Sequence, residues 1–349
     1  MQQLPKRNPN SLLRNRIFLY GLLFVSAIIL LTIVFFRQKP LEYYDKTEYH
    51  LGTYVTIRVS SSTMSPVTLA EAAMTEIKRI DDKFGSRNNG VIAELNRTGE
   101  LHDIDKETSF LIRSALEIAR NTSGAFDPTL YSLTRLWGFD DASSKKRIPS
   151  DKEIEDALGS TGFSRVTYDE ELGYVSLVDG AMIDLGGIAK GYAVDMAIAK
   201  IKSLDPEATG FIDAGGDIGV IGPKYGNRPW IVGVRNPRGE SVQDVLEYIY
   251  LYDGAVATSG DYERFFIENN VRYHHIFDPE TGFPSRSGVI SATVIGKSTM
   301  LADAYATAAF VIGMEPGVTF LPRFGALVLL VMEDMSIFRS PGFEVYQEK

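Results

Sequence analysis

Hydrophobic positions follow three different patterns along this chain. From Ile17 to Phe36 (IFLYGLLFVSAIILLTIVFF) nearly every residue is apolar and none is charged. As a helix, that stretch would span roughly 30 Å, the thickness of a bilayer's hydrocarbon. A buried soluble helix is seldom apolar on every face. A cleavable signal peptide has an apolar run of about 7–15 residues and a small-residue exit. Here the exit is Phe35-Phe36-Arg37-Gln38-Lys39-Pro40. The pattern predicts an uncleaved transmembrane anchor at 17–36. Lys6, Arg7, Arg14 and Arg16 precede it, whereas Arg37 and Lys39 follow it. The positive-inside rule then makes residues 1–16 a cytoplasmic tail. It puts the body on the extracytoplasmic (periplasmic or extracellular) side of the cytoplasmic membrane.

After a linker at 37–46 the period changes. Alternation from Tyr49 to Val59 predicts a first strand. Pro66 starts a helix whose apolar stripe is Leu69, Ala73, Ile77, Ile80 and Phe84. A second helix is expected from Glu107 to Arg120, closed by Ser123-Gly124. A third runs from Asp151 to Leu158, with Ser150 as its cap. Beyond it short strands are expected at 173–178, 181–185, 211–213, 217–221, 230–235, 245–252, 272–277, 288–295, 326–332 and 335–339. Helices are expected at 188–203 and 299–312. No repeat stands out and no linker splits the body. Residues 47–349 therefore read as one α+β domain, a mixed sheet core with flanking helices, preceded by one transmembrane helix.

Charge narrows the partners. The chain carries a formal net charge of -9. Residues 1–40 hold six Lys or Arg and no acid, which leaves the rest with 30 basic against 45 acidic residues. Nucleic acid is not an expected partner of so acidic a body. An anionic ligand would need local compensation from lysine, backbone amides or a divalent cation. There is no cysteine, which excludes disulfides, thiolate metal sites, cysteine nucleophiles and a cysteine-linked lipid.

The densest chemistry lies in AMIDLGGIAKGYAVD, from Ala181 to Asp195. An apolar strand leads to Asp184, a Gly-Gly pair, Lys190 and then a helix. Glycines allow close backbone approach, and a helix N-terminus attracts anions. Such a junction suits a phosphate-bearing ligand; it equally describes a tight turn with a surface lysine. Asp213-Ala214-Gly215-Gly216-Asp217 echoes it. Asp303 and Thr307 stand four apart in an otherwise small, apolar helix and so share a face. They offer hard oxygen ligands of the kind Mg²⁺ takes, or Thr307 bonds to its own helix backbone. His274 and His275 are adjacent, so on a strand only one can face a cleft as a general base. The other is packing or surface. Gly124-Ala125-Phe126-Asp127-Pro128-Thr129, followed by Leu136-Trp137-Gly138-Phe139, reads as a holder for a planar ring or as a capped turn over a core tryptophan. Ala257 to Tyr262 is a small-residue turn.

Taken in order, these stretches resemble the FAD:protein FMN transferase (ApbE) family. The resemblance runs from about Leu51 to Gly317. It rests on Leu51-Gly52-Thr53, the 124–129 and 136–139 runs, Asp184 to Tyr192, Asp213 to Asp217, Ala257 to Asp261, His275 to Gly282 and Leu301 to Thr307. It implies a Mg²⁺-dependent enzyme that cleaves FAD, attaches FMN through a phosphoester to a threonine or serine of an acceptor protein, and releases AMP. The acceptor would be a membrane-associated redox subunit. By the resemblance, Asp303, Thr307 and the backbone carbonyl of Gly187 hold the metal. Leu51, Ala125, Phe126, Asp127, Asp184, Lys190, His275 and Ile276 contact FAD, the last through its backbone. His275 matches the base that deprotonates the acceptor hydroxyl, and His274 has no role.

The chain departs from the family pattern at three places. Leu51 stands where methionine is usual. The 84–90 loop does not show the family's flavin-lining aromatic followed by Ser-Glu. The anchor is apolar rather than lipid-linked. Two other functions use the same features: a Mg²⁺-dependent FAD pyrophosphatase that releases free FMN, and a non-catalytic membrane-anchored flavin-binding protein.

Overall fold

The computed structural model describes residues 19–28, 42–85, 90–141, 143–241 and 243–348. It divides into two units, Met1–Glu42 and Tyr43–Lys349. In the first, residues 19–28 are helical. The rest of the expected anchor at 17–36 lies outside the described residues, as do the 1–16 tail and positions 86–89 of the 84–90 loop. Among the described residues no helix is long and apolar enough to cross a membrane.

The second unit begins with a hairpin where one strand was expected. β1 (Tyr44–His50) pairs antiparallel with β2 (Thr53–Ser60), and Leu51 and Gly52 form the turn at φ 55° and 74°. Positive φ at both central residues is the geometry of a tight hairpin turn. Pairing His50 with Thr53 shifts the inward face from even-numbered residues on β1 to odd-numbered ones on β2. The sequence alternation nonetheless runs across the turn because Tyr49 and Leu51 fall in the same odd series as Val55, Ile57 and Val59, although Tyr49 faces outward. The first strand therefore starts at Tyr44, ahead of the expected domain start at residue 47.

Six more strands complete the central sheet: β6 (Thr209–Ala214), β7 (Asp217–Gly222), β10 (Ala255–Gly260), β13 (Val289–Gly296), β14 (Leu327–Met332) and β15 (Ile337–Arg339). The order is β1-β2-β6-β7-β10-β13-β14-β15. Every pairing is antiparallel, which corrects the expected mixed sheet. The β13–β14 connection shows why. It holds two helices, and a helix pair returns the chain to the sheet end it left. One helix alone would have made the crossover parallel.

Helices cover one face of the sheet. α1 (Pro66–Phe84) buries all five residues of its predicted stripe. α2 (Val91–Thr98) and α3 (Lys106–Asn121) follow, the latter capped by Asp105. Two short helices come next: α4 (Tyr131–Leu136), and α5 (Asp151–Leu158) with its expected Ser150 cap in a full capping box. α6 (Gly186–Leu204) packs on α1 and on α7 (Thr299–Ile312), and α8 (Met314–Phe320) follows α7. The other face is covered by the β8 (Trp230–Arg235) and β9 (Val245–Leu251) hairpin. Neighbouring residues on β14 point to opposite cores: Val328 and Leu330 to the helices, Leu329 and Val331 to the hairpin. That two-sided burial explains the unbroken apolar run of β14.

β3 (Glu100–Leu101), β4 (Val166–Asp169) and β5 (Tyr174–Leu177) form a small separate sheet. β11 (Phe265–Glu268) and β12 (Val271–His274) form a second hairpin. It packs on a third core around Trp137, which is fully buried and donates its indole N–H to the Gly282 carbonyl at 3.0 Å. Trp137 of the 136–139 run is thus a core residue.

Candidate active site

The segment 181–185 is not a strand. Only Met182 makes a bridge, a parallel one to Leu130. A side chain stands in for the missing strand partner. The Asn96 amide donates to the Ile183 carbonyl and accepts from the Ile183 N–H, each at 2.7 Å. The Asp184 N–H donates to the Pro128 carbonyl at 2.8 Å. These bonds lay the 124–130 run alongside 182–187.

At the start of α6, the Asp184 carboxylate accepts the Gly186 N–H at 2.9 Å. Gly187 faces Phe126 and Thr307 so closely that a Cβ there would sit 3.1 Å from the Phe126 ring and 3.9 Å from Thr307 Oγ1. One turn on, Lys190 pairs its ammonium with Asp217 and stands 3.5 Å from Asp303 Oδ1. The second oxygen, Asp303 Oδ2, accepts the Gly191 N–H at 3.2 Å. Gly191 is needed there because a Cβ would meet the Thr299 backbone carbonyl at 2.4 Å. Across the sheet, Ser259 Oγ of β10 lies 3.2 Å from Thr307 Oγ1.

Burial pushes the Asp303 carboxyl above its ordinary value, and Lys190 and the Gly191 N–H pull against it. Asp213 shows the same contest between burial, the Gly216 N–H at 2.8 Å and Lys190. Lys190, on the helix that the first Asp-x-Gly-Gly turn opens, thus brings its charge to the second turn. Leu51 is half-buried against the main core. The adjoining Thr53 hydroxyl would lie 2.4 Å from a Cβ on Gly215, and the Leu51 N–H donates to Asp81 at 2.9 Å.

Adjacent histidines separate by burial. His274 is 3 % exposed and stands edge-on to Phe310. Its Nε2 lies 3.2 Å from the Ser285 carbonyl, and its Nδ1 accepts the Ile276 N–H at 3.3 Å. A carbonyl only accepts, so Nε2 carries the proton and the ring is satisfied neutral. Burial holds its pKa down at about 4. His275 is half-buried just past β12, with Nδ1 3.2 Å from the Arg264 carbonyl. The same logic puts the proton on Nδ1 and leaves the Nε2 lone pair to act. Burial first, then the Arg264 charge, hold His275 well below the usual histidine pKa, with Lys190 adding to the effect.

A family model, the ApbE family, matches residues 51–329. The chain belongs to the ApbE family. It is 32% identical over 323 residues to a Treponema pallidum protein called FAD:protein FMN transferase, covering 86% of this chain and 87% of that one. The fold matches an ApbE protein of Thermotoga maritima with a TM-score of 0.84 and 46% identity, over 88% of this chain and all (100%) of the other. It also matches the flavin transferase ApbE of Vibrio cholerae at 0.77 and 27% identity, over 88% and 100% of the two chains.

Within this ApbE fold the predicted residues differ in what they have left to offer. Gly187, Phe126, Lys190, Asp303 and Thr307 converge. Asp184 and Ala125 lie on the two segments that run side by side. Asp127 is engaged locally: its carboxylate accepts the Thr129 N–H (2.8 Å), the Thr129 hydroxyl (2.6 Å) and the Phe163 N–H (2.9 Å). The Ile276 carbonyl accepts the Ser285 N–H at 2.9 Å, so both its backbone groups have internal partners. Sequence reading gave no role to Asp217, Ser259, Asn96 or Asp195. The first two stand in motifs that it noted, Asp213 to Asp217 and Ala257 to Tyr262. Asp195 closes the noted Ala181–Asp195 stretch, whereas Asn96 joins segments distant in sequence and no local pattern announces it.

Proposed function

We propose that this protein is a Mg²⁺-dependent flavin transferase that cleaves FAD, attaches FMN to a threonine or serine of an acceptor protein, and releases AMP. One observation carries the reading: Lys190, Asp303, Thr307 and Gly187 meet where α6 and α7 cross, beside the His275 strand. That arrangement pairs a cation for a pyrophosphate with hard oxygens for a magnesium ion.

The donor set fits the ion. Asp303, Thr307 and the Gly187 carbonyl supply few protein oxygens, as Mg²⁺ prefers, and Ser259 adds a hydroxyl beside Thr307. Among the described residues no cluster of three or more His, Cys, Asp or Glu suggests a softer or more heavily ligated metal. Mg²⁺, when bound, supplies charge neutralisation at the pyrophosphate.

The chain's own groups do the rest. Lys190 holds the anionic pyrophosphate, and the opening amides of α6 face the same charge. Phe126 and Leu51 give apolar surface to the ligand, while Ala125 and Asp184 line the paired segments. Asp127 serves by holding the 124–129 loop in shape. His275, neutral with its Nε2 lone pair available, takes the proton of the acceptor hydroxyl as that oxygen attacks phosphorus. The acceptor is a membrane-associated redox subunit, reached because the apolar 17–36 segment anchors the body at the extracytoplasmic face of the cytoplasmic membrane.

Intact-mass measurement of a co-expressed acceptor domain tests this. The wild type should add one FMN per acceptor, and Asp303→Ala should add none. Free FMN with an unmodified acceptor would instead mean hydrolysis.

A further inference from the structure

Beyond the Lys190–Asp303 site, one surface concentrates arginine. Residues 41–349 carry 30 basic and 45 acidic residues, yet four arginines gather around Asp261, two residues past Ser259. Arg238 grips the Asp261 carboxylate with both terminal nitrogens, at 2.8 and 2.7 Å. Arg272 of β12 reaches the same carboxylate at 3.2 Å and lies 4.1 Å over the Phe265 ring. Arg286 donates to the Arg272 carbonyl at 2.9 Å and lies over Tyr273. Arg235 lies 5.1 Å over Tyr262. The acids near them include Asp261 itself, Glu263 beside Arg235, Glu333 beside Arg238, and Glu240 and Asp244 on the loop that carries Arg238.

Asp261 is only 6% exposed, so one buried carboxylate orients two guanidiniums whose side chains remain 36% and 26% exposed. Arg235 and Arg286 are exposed. Guanidiniums already fixed by a carboxylate or an aromatic face lose little freedom on meeting a further anion. In sequence the patch adjoins the site at both ends: Ser259 of β10 stands two residues before Asp261, and His275 follows Arg272 by three residues.

We propose that Arg235, Arg238, Arg272 and Arg286 form the docking surface for an acidic segment of the acceptor protein, flanking the hydroxyl to be modified. This rests on the transferase reading and adds a partner chemistry to it. Steering by such a patch is strongest at low salt.

Fluorescence anisotropy of the full chain with two threonine peptides of equal length, one flanked by glutamates and one by lysines, tests the proposal. The glutamate peptide should bind more tightly, and its affinity should fall about tenfold from about 50 to about 300 mM salt. The double variant Arg235→Glu/Arg286→Glu should lose at least about tenfold of that affinity, while FAD binding, read by flavin fluorescence, stays unchanged. Equal binding of the two peptides, or binding of neither, would overturn it. So would a loss of FAD affinity in the double variant, which would assign the arginines to the dinucleotide. If the charge preference appears but mass spectrometry finds FMN on neither peptide, the surface stands and the transferase reading is what fails.

Discussion

His274 and His275 are neighbours in sequence and opposites in environment, and the difference makes a pH prediction. His274 has a folded pKa of about 4 against about 6.5 unfolded. A depressed folded pKa means the unfolded chain binds the proton first. His274 therefore costs nothing above about pH 6.5, and the native state loses stability as pH falls from there towards 4. The loss approaches about 3 kcal/mol. Urea unfolding of wild type and His274→Gln should show the wild type losing ground to the variant over that window. His275 is pushed in the same direction, so it stays unprotonated at neutral pH as a base requires. Acceptor modification by His275→Ala should slow while FAD binding persists, read by stopped-flow labelling and flavin fluorescence respectively. The Asp303–Thr307 pair was legible in the sequence because four residues of helix fix a shared face. The Ser259 contact to Thr307 was not, because its 48-residue separation is closed only by the β10–α7 packing.

The α6–α7 crossing decides where Lys190, Asp303 and Thr307 stand. Asp195 of α6 accepts the Ser298 hydroxyl at 2.7 Å and the Thr299 and Met300 N–H groups at 2.8 and 3.0 Å, which ties down the start of α7. One turn earlier Gly191 lets the helices touch. Gly191→Ala would drive a methyl into a backbone carbonyl that has no rotamer to escape by. A stability loss of about 1–3 kcal/mol should follow in urea titrations, as overpacking costs. Asp195→Ala should cost about 1–2 kcal/mol by the same measurement, the scale of a lost N-cap. Both helices were readable from the sequence, the first starting at Gly186 rather than 188. The hairpin at 44–60 and the irregular 181–185 segment were not. In the first, Tyr49 and Leu51 extend the odd-numbered apolar series of β2 across the turn although β1 faces inward with its even-numbered residues; in the second the Asn96 side chain replaced a strand.

At the scale of the whole molecule, an antiparallel sheet with helices on one face and a hairpin on the other brings Gly187, Lys190, Asp217, Ser259, Asp303 and Thr307 together from four elements. The class of fold was readable as α+β, but strand direction was not, because it depended on counting α8 between β13 and β14. The unit from Tyr43 onwards is compact by itself. Residues 43–349, expressed alone, should keep FAD cleavage and remain in the soluble fraction, whereas the full chain should sediment with the membranes. Sedimentation of both forms with an AMP assay checks this.

The central claim is that the oxygens at the α6–α7 crossing hold the ion that makes FAD cleavable. Its most direct test is AMP release from FAD by purified wild type and Asp303→Ala across a magnesium titration. The account predicts saturable, magnesium-dependent release by the wild type and a loss of at least about a hundredfold, about 2.7 kcal/mol of barrier, in the variant. Wild-type rates from Asp303→Ala, or release indifferent to magnesium, would contradict it.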